Sequence, residues 1–105
     1  RLAMELALTG DFVDAQRAYE IGLINRVVPT GEALAGAKEL AAKIAANGPL
    51  AVAVSKRIIT ESADWSTGEQ FAKQGEYANP VFGSADAMEG ATAFAEKRTP
   101  KWTGK

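Results

Sequence analysis

The chain has 105 residues, 47% of them hydrophobic and 24% charged, with no Cys and no His; it should pack rather than stay disordered, though a domain this short buries only about 60–65% of its unfolded surface. A formal net charge of −1 gives no general field for nucleic acid, no Lys/Arg run forms a polybasic membrane patch, and no apolar run approaches the roughly 20 residues a bilayer needs. Without Cys or His there is no disulfide framework, no thiolate and no histidine base or ligand, so no metal site is expected and any catalysis would rest on carboxylates.

Arg1 runs straight into LAMELAL without a cap, which reads as a helix entered part-way in a chain cut from a longer one. Leu2–Leu8 is too apolar all round for a surface helix and needs cover, and Gly10 closes it. Asp14 caps a helix over Ala15–Ile21 that Gly22 ends. Leu23–Val28, short and β-branched before Pro29, predicts a strand, and since nothing else resembles one, its sheet must lie outside these residues or in another copy. Thr30 is expected to cap a helix to about Ala46, with an exposed Glu39–Lys43 pair, and Asn47-Gly48-Pro49 to stop it. A helix follows from Leu50 to about Ser62, sandwiched in its first half. Ser66 and Glu69 form a capping box for a helix ending near Ala78, before Pro80. Phe82 is expected to staple the next helix, which Ser84 caps and which runs to about Thr99 before Pro100.

In that last helix Ala87, Met88, Ala91, Phe94 and Ala95 share one face, expected to be buried, while Glu89, Glu96 and Arg98 lie elsewhere. Gly90, Phe94 and Lys97 follow its edge one turn apart, leaving a ring with an open patch on one side and an ammonium on the other, which suits a flat anionic ligand. The plainer alternative is that Phe94 is core and Lys97 snorkels. Glu61, Glu69, Glu76 and Glu89 show no paired arrangement, so no catalytic residue is assigned. No phosphate-cradling glycine motif occurs, and Lys56-Arg57 reads as a solvated face.

The order of signals resembles the C-terminal portion of the crotonase superfamily, the enoyl-CoA hydratase/isomerase family. It is carried by LALTGDFVDAQRAYEIGLINRVVP at Leu6–Pro29, GPLAVAVSKRII at Gly48–Ile59 and SADAMEGATAFAEKRTPKWTG at Ser84–Gly104. The resemblance implies a mainly α piece of a ββα-spiral fold: residues 1–29 as the end of the core, with Leu23–Val28 a strand of the missing core, and 30–105 as a helical trimerisation and CoA-contact region. It implies a cytoplasmic enzyme acting on acyl-CoA as substrate, without a cofactor, and a homo-oligomer that is a trimer or dimer of trimers, with no nucleic-acid or membrane partner. Hydration of 2-enoyl-CoA is the implied activity, the family's two glutamates and its oxyanion-hole segments lying upstream of Arg1. Isomerase, dehydratase or hydrolase activity, or a helical self-association module that binds no CoA, are the alternatives. Phe94 and Lys97 fall on the AF-x-EKR positions that approach the adenine and ribose 3′-phosphate of CoA, with Arg98, Lys56 and Trp102 less firmly placed.

Overall fold

The computed structural model describes residues 1–105, and all its regular elements are helical: α1 (Leu2–Thr9), α2 (Ala15–Glu20), α3 (Ala33–Ala45), α4 (Pro49–Glu61), α5 (Gln70–Phe82) and α6 (Ala85–Ala95), with a 3-10 turn at Ser62–Asp64. The residues group into two units, Arg1–Glu39 and Leu40–Lys105.

In the first unit Gly10 ends α1 at φ 69°, its N–H reaching the Leu6 carbonyl, a conformation open to glycine at little cost. The Asp14 carboxylate accepts from the Arg17 N–H at 2.7 Å and so caps α2 as its position suggests. The Leu23 N–H then turns back to the Ala18 carbonyl at 2.8 Å, and Ala18 is buried. Leu23–Val28 is not a strand: it bends and then runs without regular structure, because no second strand exists in the chain to complete a ladder. α3 begins at Ala33 rather than after Thr30, since Gly31 adopts φ 86° and interrupts helical geometry. Gly36 lies under Val28, whose Cγ1 would come within 2.9 Å of a Cβ there. The cover that α1 needs is not supplied, for Met4 is 66% and Leu8 80% exposed.

In the second unit α4 and α5 form a hairpin around the 3-10 turn, with Pro49 at the start of α4, where its missing N–H costs nothing. Arg57 and Glu61 of α4 and Tyr77 of α5 pin the pair. Arg57 Nε donates to Glu61 Oε1 at 2.8 Å, the Tyr77 hydroxyl donates to Glu61 Oε2 at 2.8 Å, and the guanidinium lies 4.2 Å from the Tyr77 ring centre. Ser66 and Glu69 do meet, hydroxyl to carboxylate at 2.5 Å, but α5 starts only at Gln70. It also runs through Pro80 to Phe82 instead of stopping near Ala78. Proline forfeits one bond close to the helix end, and that end is closed by Gly83 N–H to Asn79 O and by the Ser84 hydroxyl to Val81 O at 2.6 Å. Phe82 does not act as a tight staple, being 78% exposed. The Glu39–Lys43 pair does not form an ion pair, whereas Lys73–Glu69 does at 3.5 Å.

This chain exposes 8524 Å², no large side chain is fully buried, and the only buried apolar residues are Ala18 and Ala93.

Candidate functional site

α6 starts where its sequence says it should, the Ser84 side-chain oxygen accepting from the Ala87 N–H at 3.1 Å. Its buried stripe, however, differs from the one expected. Asp86 is 4% and Ala93 1% exposed, and with Gly90 between them they stand at the i, i+4, i+7 spacing of one face, while Met88 is 71% and Phe94 88% exposed. A carboxylate can be buried if donors meet it, and here they come from the C-terminal tail. Thr103 N–H (2.7 Å) and Oγ1 (2.9 Å) donate to Asp86 Oδ1, and Gly104 N–H donates to Oδ2 at 2.9 Å. The Thr103 N–H, with that of Gly104, outweighs burial and holds the Asp86 carboxyl below its ordinary range.

One turn on, Glu89 makes a two-pronged pair with Arg98, Nη1 to Oε1 at 2.6 Å and Nη2 to Oε2 at 2.9 Å, and Oε1 also accepts from the Lys101 N–H at 2.7 Å. The Arg98 guanidinium first, and then the Lys101 N–H, bring the Glu89 carboxyl from 4.5 to about 2. Arg98 is spent in this way: its Nε donates to Glu96 Oε2, Nη1 also reaches the Thr99 carbonyl, and its own pKa is raised. Trp102 completes the strap. Its Nε1–H donates to the Ala46 carbonyl at 2.9 Å and its ring lies over Gly48 and Gly90, so close to Gly90 that a Cβ there would sit 3.2 Å from Cη2. The open patch expected beside Phe94 at Gly90 is therefore filled.

α6 ends at Ala95, four residues short of Thr99, because the chain closes on itself before Pro100 is reached. Arg98 N–H bonds Ala93 O at 3.0 Å and Lys97 N–H bonds Phe94 O at 3.2 Å, with Lys97 at φ 54°. This is a Schellman closure with lysine in the left-handed position that glycine usually fills, and Lys97 is the only non-glycine residue with positive φ. Phe94 and Lys97 thus flank the closure, the ring in solvent and the ammonium in no ion pair. Phe94 is not core in this unit. Lys56 lines a separate cleft on α4 with Ile44, Val52 and Ile59. The carboxylates form no acid–base pair: Glu61 is held by Arg57 and Tyr77, Glu69 by Ser66 and Lys73, Glu89 by Arg98, and each has its pKa lowered by those partners. No group of three or more His, Cys, Asp or Glu residues could hold a metal ion, and no helix is long and apolar enough to cross a membrane.

Helices in this order, closed by a strapped terminal helix, are the helical C-terminal portion of a crotonase fold. Residues 1–105 match the family described as enoyl-CoA hydratase/isomerase, and the chain belongs to that family. It is similar to enoyl-CoA hydratase EchA19 of Mycobacterium tuberculosis, 47% identical over 99% of this chain and 39% of that protein. It also resembles carnitinyl-CoA dehydratase of Proteus mirabilis, 42% identical over 96% of this chain and 40% of that one. The crystal structure of an enoyl-CoA hydratase from M. tuberculosis H37Rv superposes with a TM-score of 0.97 at 59% identity, covering 99% of this chain and 41% of that one. The chain therefore spans about two fifths of the length of these relatives.

The strap follows from no local pattern in the sequence. Asp86 and Glu89 read in the sequence only as negative charge suited to a first helical turn, and no spacing rule joins them to Thr103 or Arg98. The signal available was Gly90, a glycine inside an otherwise strong helix, which commonly marks a close approach by another group.

Proposed function

We propose that the chain is the C-terminal helical part of an enoyl-CoA hydratase, which adds water across the double bond of 2-enoyl-CoA thioesters in acyl-CoA degradation in the cytoplasm. In that reading it contributes subunit contacts within a trimer or dimer of trimers, and part of the CoA nucleotide site. The observation that carries the reading is the family match along all 105 residues. Hydration requires a paired acid and base, and donors aimed at the thioester oxygen where enolate charge develops. Glu61, Glu69, Asp86 and Glu89 are held as low-pKa acceptors by their partners, so in this reading the chemistry belongs to other residues, and no cofactor or metal is called for.

The nucleotide contact rests on Phe94 and Lys97: an exposed ring offers a stacking face for adenine, and an ammonium without an ion pair offers charge to the ribose 3′-phosphate. Such a contact supplies binding energy remote from the reacting bond. The experiment is an assay with crotonyl-CoA alongside adenosine 3′,5′-bisphosphate binding. Turnover by the full-length enzyme of which these residues are part, and bisphosphate affinity lost in Lys97→Ala, are expected. Absence of both would overturn the reading. The dehydratase of P. mirabilis favours a second reading, elimination of water from a 3-hydroxyacyl thioester. Relative kcat/KM for crotonyl-CoA and carnitinyl-CoA separates the two.

A further inference from the structure

We infer that Glu89, acting through Arg98, is a positioning residue that fixes the backbone turn from which the Lys97 side chain leaves; the inference rests on the nucleotide-site reading above. Lysine pays for a left-handed backbone with a steric conflict at its Cβ, so such a conformation persists only where its surroundings over-determine it. Around Lys97 the surroundings do so from both sides. On the helix side, the Lys97 N–H is tied to Phe94 O at 3.2 Å. On the other side, the next residue bonds back past it to Ala93 O at 3.0 Å, on a residue 1% exposed.

The side chain of the residue that makes that return is itself anchored, Glu89 holding the Arg98 guanidinium with both carboxylate oxygens at 2.6 and 2.9 Å. The same carboxylate holds the Lys101 N–H at 2.7 Å, so the chain is gripped on the far side of Pro100 as well. Arg98 looks by sequence like a second cation for a phosphate. In the structure its donors go to Glu89, Glu96 and the Thr99 carbonyl. It serves as a structural fork, and Lys97, three residues on from Phe94 and in no ion pair, is the cation that the nucleotide-site reading uses.

The test is calorimetric titration of the full chain with adenosine 3′,5′-bisphosphate and with adenosine 5′-monophosphate; the ratio of the two affinities isolates the 3′-phosphate. Lys97→Ala is expected to lower that ratio about tenfold, the scale of one hydrogen bond to a charged group; an unchanged ratio overturns the nucleotide-site reading and this inference with it. Glu89→Gln removes a negative charge beside the site, so electrostatics alone would raise the ratio. Positioning lowers it, by about fivefold on the same scale, with monophosphate affinity kept. A ratio that holds or rises in Glu89→Gln while it falls in Lys97→Ala overturns the positioning role and leaves the nucleotide site standing. In the double variant, Glu89→Gln should add no further loss to Lys97→Ala; an additive loss overturns the route through Lys97. Should Glu89→Gln unfold the chain by circular dichroism, Arg98→Lys serves instead. It keeps the charge without the fork and is expected to lower the ratio, and an undiminished ratio overturns the inference.

Discussion

Lys97 carries a backbone cost that most lysines avoid, and the cost has a measurable counterpart. Replacing it with glycine removes the Cβ conflict at φ 54° and gives the Schellman closure its usual residue. Lys97→Gly should therefore raise stability by about 1 kcal/mol, seen as a higher urea midpoint with an unchanged slope. A lower midpoint would mean that the lysine stem packs more than its place at the closure indicates. The same variant should lose the 3′-phosphate contribution to nucleotide affinity, so stability and binding move in opposite directions at one position. That opposition is the usual mark of a residue kept for what it touches.

The strap that follows α6 is an element whose strength depends on carboxylates being ionised. Glu89 has its pKa lowered on folding from 4.5 to about 2. A lowered pKa contributes stability that is fully present above the unfolded value and is lost as the pH falls through the folded one. Asp86 shifts in the same direction through Thr103 and Gly104, so its protonation also loosens the strap in acid. Hydrogen exchange at the Lys101, Thr103 and Gly104 amides should accordingly stay slow relative to their intrinsic rates above about pH 4.5 and lose that protection as the pH approaches 2. Protection that persists at pH 2 would place the hold of the strap in Trp102 rather than in the acids. Much was legible in the sequence: the Ser84 and Asp14 caps and the Gly10 and Gly22 stops are local chemistry, complete within a few residues. The strap was not, because Asp86 to Thr103 and Ala46 to Trp102 are pairings between segments with no periodicity in common. The expectations at Pro80 and Thr30 fail in opposite ways, the proline being tolerated inside a helix and Gly31, next to Thr30, delaying one. In each case the neighbouring backbone bonds decided where the helix ended or began.

Across the whole chain the dominant fact is uncovered apolar surface. Phe12, Leu8, Phe71 and Ile59 are each at least 74% exposed. The isolated 105 residues should therefore self-associate or bind a hydrophobic dye, as sedimentation and dye fluorescence would report, and should not hydrate crotonyl-CoA. A sharply melting monomer would contradict the first expectation, and turnover by a sample proved to contain only this chain the second. Leu23–Val28 belongs to the same account: its pattern is that of a strand, and strand formation is a property of a pair that this chain does not contain. The Trp102 ring that bridges Gly48 and Gly90 also makes the effect of a change at one place depend on the genetic background elsewhere. Gly90→Ala should destabilise the second unit while the indole is present, because the new methyl meets it at 3.2 Å. With Trp102→Ala already in place, the same change should instead stabilise by about 1 kcal/mol through helix propensity, so that its sign is a property of the pair.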